Sequence, residues 1–292
     1  MIIRAYRTAD TAVLLHIHNQ THPTPWTDGR FARYVADVLG ADGRIWVITN
    51  ANEDPIGYAL TAPIPGLPGQ IELDGGILPA WQRQGYGSAL LQHVRQHAGP
   101  VHLSYCVASL GSPAARFLQR RGFTVEHEEW VLGRPSLNEL PPIPERSDGH
   151  CAPFVNRRRA IHTFCALYDA SFAAHPWYQP YTAAEVDATL VAAQDILFLR
   201  RDDTPIGFAW LHVRDGVGEI EPFGIVDGWQ GLGYGRFLLT AVLHQLAQRG
   251  ATTAQIGAWH NNHPALHLYQ SLGFQHHHTQ TYLTLSLSEL QW

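Results

Sequence analysis

The sequence predicts two α+β domains in tandem, each a mixed, mainly antiparallel sheet flanked by helices. Three observations carry this: short motifs recur at one spacing, strand-like and helix-like segments follow the same order in both halves, and a proline-rich stretch separates the halves. PIGYAL at Pro55 returns as PIGFAW at Pro205, QGYG at Gln84 as LGYG at Leu232, and RGF at Arg121 as LGF at Leu272, at separations of 150, 148 and 151. Three unrelated motifs sharing one offset mark a tandem duplication. The segment RPSLNELPPIPERSDGH, from Arg134 to His150, has the composition of an interdomain linker. It places the domains at residues 1–144 and 145–292. A looser echo pairs THPTPWT from Thr21 with AHPWYQPYT from Ala174.

In the second half, HTFCALYDASF and TAAEVDATLVAA have helical patterning, and ILFLRR and PIGFAWLHV read as strands joined through the turn signal DDTP. GEIEPFGIV follows as a third strand. Leu238, Leu239, Val242, Leu243 and Leu246 then recur at helical spacing until Gly250 stops the run. TAQIGAWH predicts a strand, PALHLYQSL a helix and QTYLTLSL a closing strand. The first half repeats the order: RIWVITN, PIGYAL and QIELDGGI as strands, YGSALLQHV as a helix, then VHLSYCV, AARFLQRR and TVEHEEWVL.

At 292 residues and 45% hydrophobic content the chain can fill two cores. A net charge of −5 without a run of basic residues gives no footprint for nucleic acid or an anionic membrane surface. All 20 basic residues are arginine. The opening MIIRAYRTAD lacks the apolar stretch of a signal or a membrane span, so a cytoplasmic protein, monomeric or homodimeric, is expected. Cys106, Cys151 and Cys165 are too few and unpatterned for disulfides or zinc and are expected to be buried apolar thiols. Among the 18 histidines, neither the His263 and His267 pair nor the run His276 to His278 has the accompanying acidic or cysteine ligands, so no metal site is expected and surface positions are.

The chemistry centres on QGLGYGR, Gln230 to Arg236, between a strand and a helix. It is not a dinucleotide fingerprint, because Arg236 stands where the third glycine belongs, and it lacks the G-K-[ST] of a Walker loop. Q-x-x-G-x-G before a helix offers backbone N–H groups and the positive end of the helix dipole to an anion, so no lysine is needed. A tight turn requiring glycine is the structural alternative. Recurrence in the same context at Gln82, Gly85 and Gly87 favours binding.

The pattern from Gln230 to Gly235, followed by NHPALHLYQSLGF from Asn262 to Phe274, resembles the GCN5-related N-acetyltransferase (GNAT) superfamily. The tandem arrangement, with GEIEPFGIVDGWQGLGYG and the HP element at His175, is most similar to its two-domain members that acetylate a small thiol precursor. The resemblance implies acetyl-CoA as co-substrate, its pyrophosphate on the amides of Gly231, Gly233, Tyr234, Gly235 and Arg236 and its pantetheine along GEIEPFGIV. Ile225 would present an N–H to the thioester oxygen, the position at which an acyl transfer is most stabilised. Asn262 would bond pantetheine or cap the following helix.

Direct transfer to an amine requires removal of an ammonium proton and protonation of the departing thiolate. By family position Glu219 is the base, Glu221 on the same strand parity its reserve, and Tyr269 the acid. Counting back equally from the first loop meets Ile71, Leu118 and Gly111 in place of Glu219, Tyr269 and Asn262. Glu72 lies one residue away and would serve only if a bulge shifts the strand. A catalytically degenerate first domain is therefore expected. The function implied is acetyl transfer to a small-molecule amine by the second domain, with AAHPWYQPYT forming part of the acceptor site. The alternatives are peptide N-terminal acetylation and a non-catalytic CoA-binding regulator.

Overall fold

A computed structural model describes residues 1–99, 101–175 and 178–287. In chain order its elements are β1 (Ile2–Ala5), α1 (Thr11–Thr21), α2 (Asp28–Gly40), β2 (Arg44–Thr49), β3 (Pro55–Pro63), β4 (Gln70–Ile77), α3 (Tyr86–Ala98), β5 (His102–Val107), α4 (Pro113–Gln119) and β6 (Thr124–Arg134). They continue with β7 (Gly149–Ala152), α5 (Arg157–Phe172), α6 (Ala183–Thr189), β8 (Ile196–Arg201), β9 (Thr204–Arg214), β10 (Val217–Ile225), α7 (Tyr234–Gln248), β11 (Thr253–Trp259), α8 (His263–Ser271) and β12 (Gln275–Ser286).

The chain divides into two compact units. The first is Met1–His127 together with the segment from Thr281; the second is Glu128–Gln280. In the first unit β1 to β4 pair antiparallel in order, β4 runs parallel to β5, and the later half of β12 closes the sheet on β5, with Thr281 opposite Val107. In the second, β7 to β10 pair antiparallel, β10 runs parallel to β11, and the later half of β6 closes the sheet, with Trp259 opposite Glu129. The expected α+β architecture of two similar domains is thus present, and each sheet is finished by a strand from distant sequence.

Each sheet carries helices, and so a core, on both faces. In the second unit the apolar stripe of α7, Leu238, Leu239, Val242, Leu243 and Leu246, is fully buried. Burying each such side chain contributes about 1.5–3 kcal/mol. Gly250, at φ 88°, follows the helix where the chain must turn left-handed. The other face packs Phe164, Phe198 and Phe208 beneath α5. In the first unit Leu90, Leu91 and Val94 of α3 cover one face, while Leu14 and Ile17 of α1 and Phe31 and Val35 of α2 cover the other.

The proline-rich segment does more than connect. Leu137 is buried in the core under α7, His244 Nε2 meets the Pro141 carbonyl at 2.9 Å, and Arg146 donates to the Leu232 carbonyl at 3.0 Å. The sequence-based boundary at 144/145 therefore falls inside the second unit, because one leucine and two polar contacts tie the segment there. The expectation of buried thiols holds least for Cys106, which is exposed: alternation along β5 sends Leu103 and Val107 inward and turns Cys106 out.

Candidate functional site

The site begins with a parted pair of strands. In the second unit β10 pairs with β11 only from Val217 to Ile220, while its pairing with β9 continues to Ile225. Beyond Ile220 the two parallel strands separate. Because the Val226 N–H donates to the Ile206 carbonyl on the β9 side at 3.0 Å, alternation points the amides of Phe223 and Ile225 at the opened edge. The register of β10 against β9 slips by one residue between Ile220 and Phe223, so a bulge interrupts the strand where the opening starts. A chain of polar atoms, such as a pantetheine, can add to such an edge as a further strand would.

The loop after β10 is locked before the helix begins. Gln230 donates through Nε2 to the Ile225 carbonyl and to Asp227 Oδ1, both at 2.9 Å, which ties the loop to the strand end. Gly231 and Gly233 lie at φ 73° and 83°, and a Cβ at Gly231 would meet open space. Gly233 stands at the N-cap of α7 without a side-chain cap, leaving the first-turn amides of Tyr234, Gly235 and Arg236 available to an anion. Gly235 has a different reason to be glycine: a Cβ there would lie 3.1 Å from Leu268 of α8. Side chains of the two neighbouring residues point elsewhere. Tyr234 is buried and donates to Asp148 Oδ2 at 2.7 Å, and Arg236 donates to Ser271 Oγ at 2.7 Å.

Two residues of the proline-rich segment, unnoticed in the sequence, brace this loop. The Arg146 guanidinium stacks 3.8 Å from the centre of the Tyr234 ring while binding the Leu232 carbonyl and Asp148. Hydrogen bonds from Arg146 and Tyr234 hold the Asp148 carboxyl down to about 2. No motif marks them, since the signal is spatial.

Along β10, Glu219 is half-buried and Glu221 exposed within the opening. The surrounding protein, and then the charges of Glu129 and Glu219, push the Glu221 carboxyl above its usual range. Glu221 in turn adds to the upward shift of the Tyr168 and Tyr181 hydroxyls, for which burial is the larger cause. Tyr269 on α8 is buried, its ring 6.1 Å from those of both Phe223 and Phe274, and desolvation keeps its hydroxyl protonated well above the usual tyrosine range. Asn262 accepts from the Ala265 amide at 3.3 Å and so caps α8. The acceptor segment AAHPWYQPYT is described in part: Pro176 and Trp177 lie outside the described residues, while His175 packs 5.4 Å from Trp259.

The first unit repeats the frame. β4 pairs with β5 only from Gln70 to Glu72, and Gln82 Nε2 donates to the Ile77 carbonyl at 2.8 Å. Gly85, at φ 92°, begins α3, and a Cβ at Gly87 would meet the Phe117 ring at 3.3 Å. Arg83 takes φ 62° where the second unit has Gly231.

Counting from the loop misplaces one residue. Glu72 pairs with Ala62 and Ser104, whereas Glu219 pairs with His212 and Gln255, the same positions of the repeated strands. The bulge adds its residue to β10 and none to β4. The counterpart of Glu219 is therefore Glu72, not Ile71, and the carboxylate is retained. Desolvation by the protein packed around its carboxyl, and then the Asp74 charge, raise Glu72 although its side chain is exposed, partly offset by a hydrogen bond from Tyr34.

Beside it lies a cluster that sequence reading passed over. His22 Nε2 is 2.8 Å from Asp74 Oδ1, and its Nδ1 faces the His18 carbonyl at 3.1 Å. The Thr21 hydroxyl also lies 3.0 Å from Nδ1, and a carboxylate at one nitrogen with a carbonyl at the other favours the imidazolium. Burial opposes this charge, but the Asp74 hydrogen bond and charge outweigh it and raise the His22 value. Burial would likewise lift Asp74, yet His22, His18 and the Gly75 amide bring it below its ordinary range. His18, stacked 3.9 Å from His22, stays neutral: burial, then the His22 charge, lowers it to about 4. Its Nδ1 meets the Tyr58 hydroxyl at 2.8 Å. The ligand atoms of His18, His22 and Asp74 lie within 4.8 Å, but the short His22–Asp74 approach is a charge-assisted hydrogen bond with no room for an ion between its atoms. His263, His267, His276 and His277 are exposed, as expected. The missed signal was His18 and His22 at i and i+4, the second just past the end of α1.

Split parallel strands, a glutamine-locked loop and an uncapped glycine helix start, present twice, define an acyl-CoA-type transferase fold. The acetyltransferase (GNAT) family pattern matches residues 11–123 and 161–274, and the chain belongs to that family. It is similar to the mycothiol acetyltransferase of Thermomonospora curvata, at 31% identity over 75% of this chain and 74% of the relative. The corresponding protein of Thermobifida fusca is 25% identical over 94% and 89%. Two solved structures share the fold. A GCN5-related N-acetyltransferase from Sphaerobacter thermophilus superposes with TM-score 0.77 at 20% identity over 98% of this chain and 95% of its own. A tandem GNAT protein from the clavulanic acid biosynthesis pathway gives 0.73 at 16%, over 99% of both chains. The protein is an N-acetyltransferase, a family whose co-substrate is acetyl-CoA. Among the described residues no helix is long and apolar enough to cross a membrane.

Proposed function

We propose that the second unit transfers the acetyl group of acetyl-CoA directly to the amine of a small molecule. The observation that carries this is the opened β10 edge, which joins an amide pair, two glutamates and a buried tyrosine to an anion-binding helix start. Acetyl-CoA supplies the activated acyl group. Its pyrophosphate fits the amides following Gly231 and Gly233, and the Ile225 N–H suits the thioester oxygen, where developing charge is best met by a fixed donor.

Glu219 and Glu221 act on the amine. A pair of carboxylates, Glu221 with its proton affinity raised, attracts an ammonium and accepts its proton. The free amine attacks the carbonyl carbon, the C–S bond breaks, and Tyr269, kept protonated by burial, returns a proton to sulfur. Tyr168 and Tyr181 border Glu221 and make the acceptor pocket half-apolar. The names of the relatives support a small acceptor, as does the aromatic wall.

Steady-state acetylation by Tyr269→Phe, Glu219→Gln and Glu221→Gln variants tests the mechanism. Losses of roughly 10²-fold or more in kcat/KM are expected for Tyr269→Phe and at least one glutamate. Unchanged rates in all three would remove it, and turnover of peptides in place of small amines would assign the acceptor differently.

A further inference from the structure

The first unit retains a carboxylate at the position of Glu219 and surrounds it with groups that the second unit lacks. We propose that this unit is a second acyl-transfer centre, in which Glu72 deprotonates a small cationic amine held over the His22–Asp74 pair. The proposal shares with the function above only the reading that a glycine loop of this kind holds an acyl-CoA.

The geometry supports it in three ways. Glu72 is exposed at the start of the β4–β5 opening, one strand repeat from Asp74, so both carboxylates face the same side of the sheet. The Ile77 amide points at the opened edge, since the Leu78 N–H donates across to Ile56 at 2.9 Å, while the Gly75 amide is taken by Asp74. The floor is rigid: Asp74 is fixed by His22 and by the Gly75 amide at 2.7 Å, and His18 by Tyr58, while Trp26 and Tyr34 stand edge to face at 5.2 Å beside them. The His22–Asp74 pair remains partly open, its side chains 19% and 16% exposed. Because His22 balances the Asp74 charge, the attraction for a cationic acceptor comes from Glu72, while the aromatic rings cover its apolar part.

The step balances with an acyl-CoA in the loop. The ammonium gives its proton to Glu72, the amine nitrogen forms a bond to the carbonyl carbon, and the C–S pair leaves as thiolate. Leu118 stands where the other unit has Tyr269, so the thiolate takes its proton from water, and this centre is the slower one.

The test uses the full chain silenced in the second unit by Glu219→Gln, Glu221→Gln and Tyr269→Phe. Release of CoA thiol from acetyl-CoA is followed with ethanolamine, 1,4-diaminobutane and glucosamine, and with water as the acceptor where none of these is used. Residual release is expected, falling roughly 10²-fold when Glu72→Gln is added. Because Glu72 is exposed, thermal unfolding should not change with that substitution. His22→Gln, acting through position, should raise KM for the amine several-fold while leaving kcat within about twofold. The proposal is overturned if no release remains in the silenced chain, or if what remains is indifferent to Glu72→Gln. Full turnover in the silenced chain would instead refute the assignment of the second unit, and the Glu72 comparison would still decide this one.

Discussion

The two units share a backbone and differ in what they set upon it. Both part a parallel strand pair, lock the following loop with a glutamine and open a helix on a glycine at positive φ. On the sheet face covered by α5 the second unit packs aromatic rings: Phe208 lies among Phe164, Tyr168 and Phe172. The first unit has Tyr58 at the Phe208 position, and that one hydroxyl receives His18, which stacks on His22, which pairs with Asp74. Duplication thus preserved the main-chain frame and let the side chains packed on it diverge.

The comparison can be broken first at its chemistry. Glu219→Gln with Glu221→Gln should lower kcat/KM by roughly 10²- to 10⁴-fold, and Glu72→Gln alone, in a chain with an active second unit, should change total turnover by less than about twofold. Comparable losses from the two would mean equal units.

Packing comes next. Leu243→Ala, removing a fully buried side chain from α7, should cost about 2–5 kcal/mol, and Val94→Ala in α3 less, since fewer buried atoms are deleted. Separate transitions in calorimetry would assign each loss to its unit.

Acid should distinguish the units too. The neutral, buried His18 binds its proton only near pH 4, whereas in the unfolded chain it does so near 6.5, so unfolding takes up a proton and stability falls as pH drops across that interval. His22, with a raised value, works in the other window: its contribution is complete below about 6.5 and is lost as pH rises through its folded value. The first unit should be most stable near the ordinary imidazole value. His18→Asn should flatten the acid side of a plot of unfolding midpoint against pH.

The smallest effect concerns one loop position. Gly231→Ala, at φ 73°, should cost about 1 kcal/mol, while Arg83→Gly, relieving φ 62°, should shift stability by less than about 1 kcal/mol.

Much of this was legible beforehand. The repeat, the strand and helix order and the glycine loops follow from local pattern, because periodicity and turn chemistry act over a few residues, whereas the role proposed for Tyr269 comes from the family resemblance. What escaped depends on distance. The sequence leaves Glu72 conditional on a bulge, and only the pairing of β9 shows that the bulge lies in β10. Arg146 and Asp148 looked like linker because their partner, Tyr234, is 86 residues on from Asp148. His18 and His22 resembled the other histidines until Asp74, 52 residues from His22, was placed beside them.

The closing strand of the first unit has a bearing on how the chain is made. Among the described residues, β5 finds its outer neighbour in Thr281–Ser286. During synthesis the first unit must therefore wait, with β5 exposed along one edge, while some 150 further residues are translated at about 5–20 residues per second. An open strand edge is a template for wrong partners. A ribosome-stalled chain ending before residue 281 should bind chaperones or self-associate where the finished chain does not, and supplying the segment 275–287 as a peptide should relieve it.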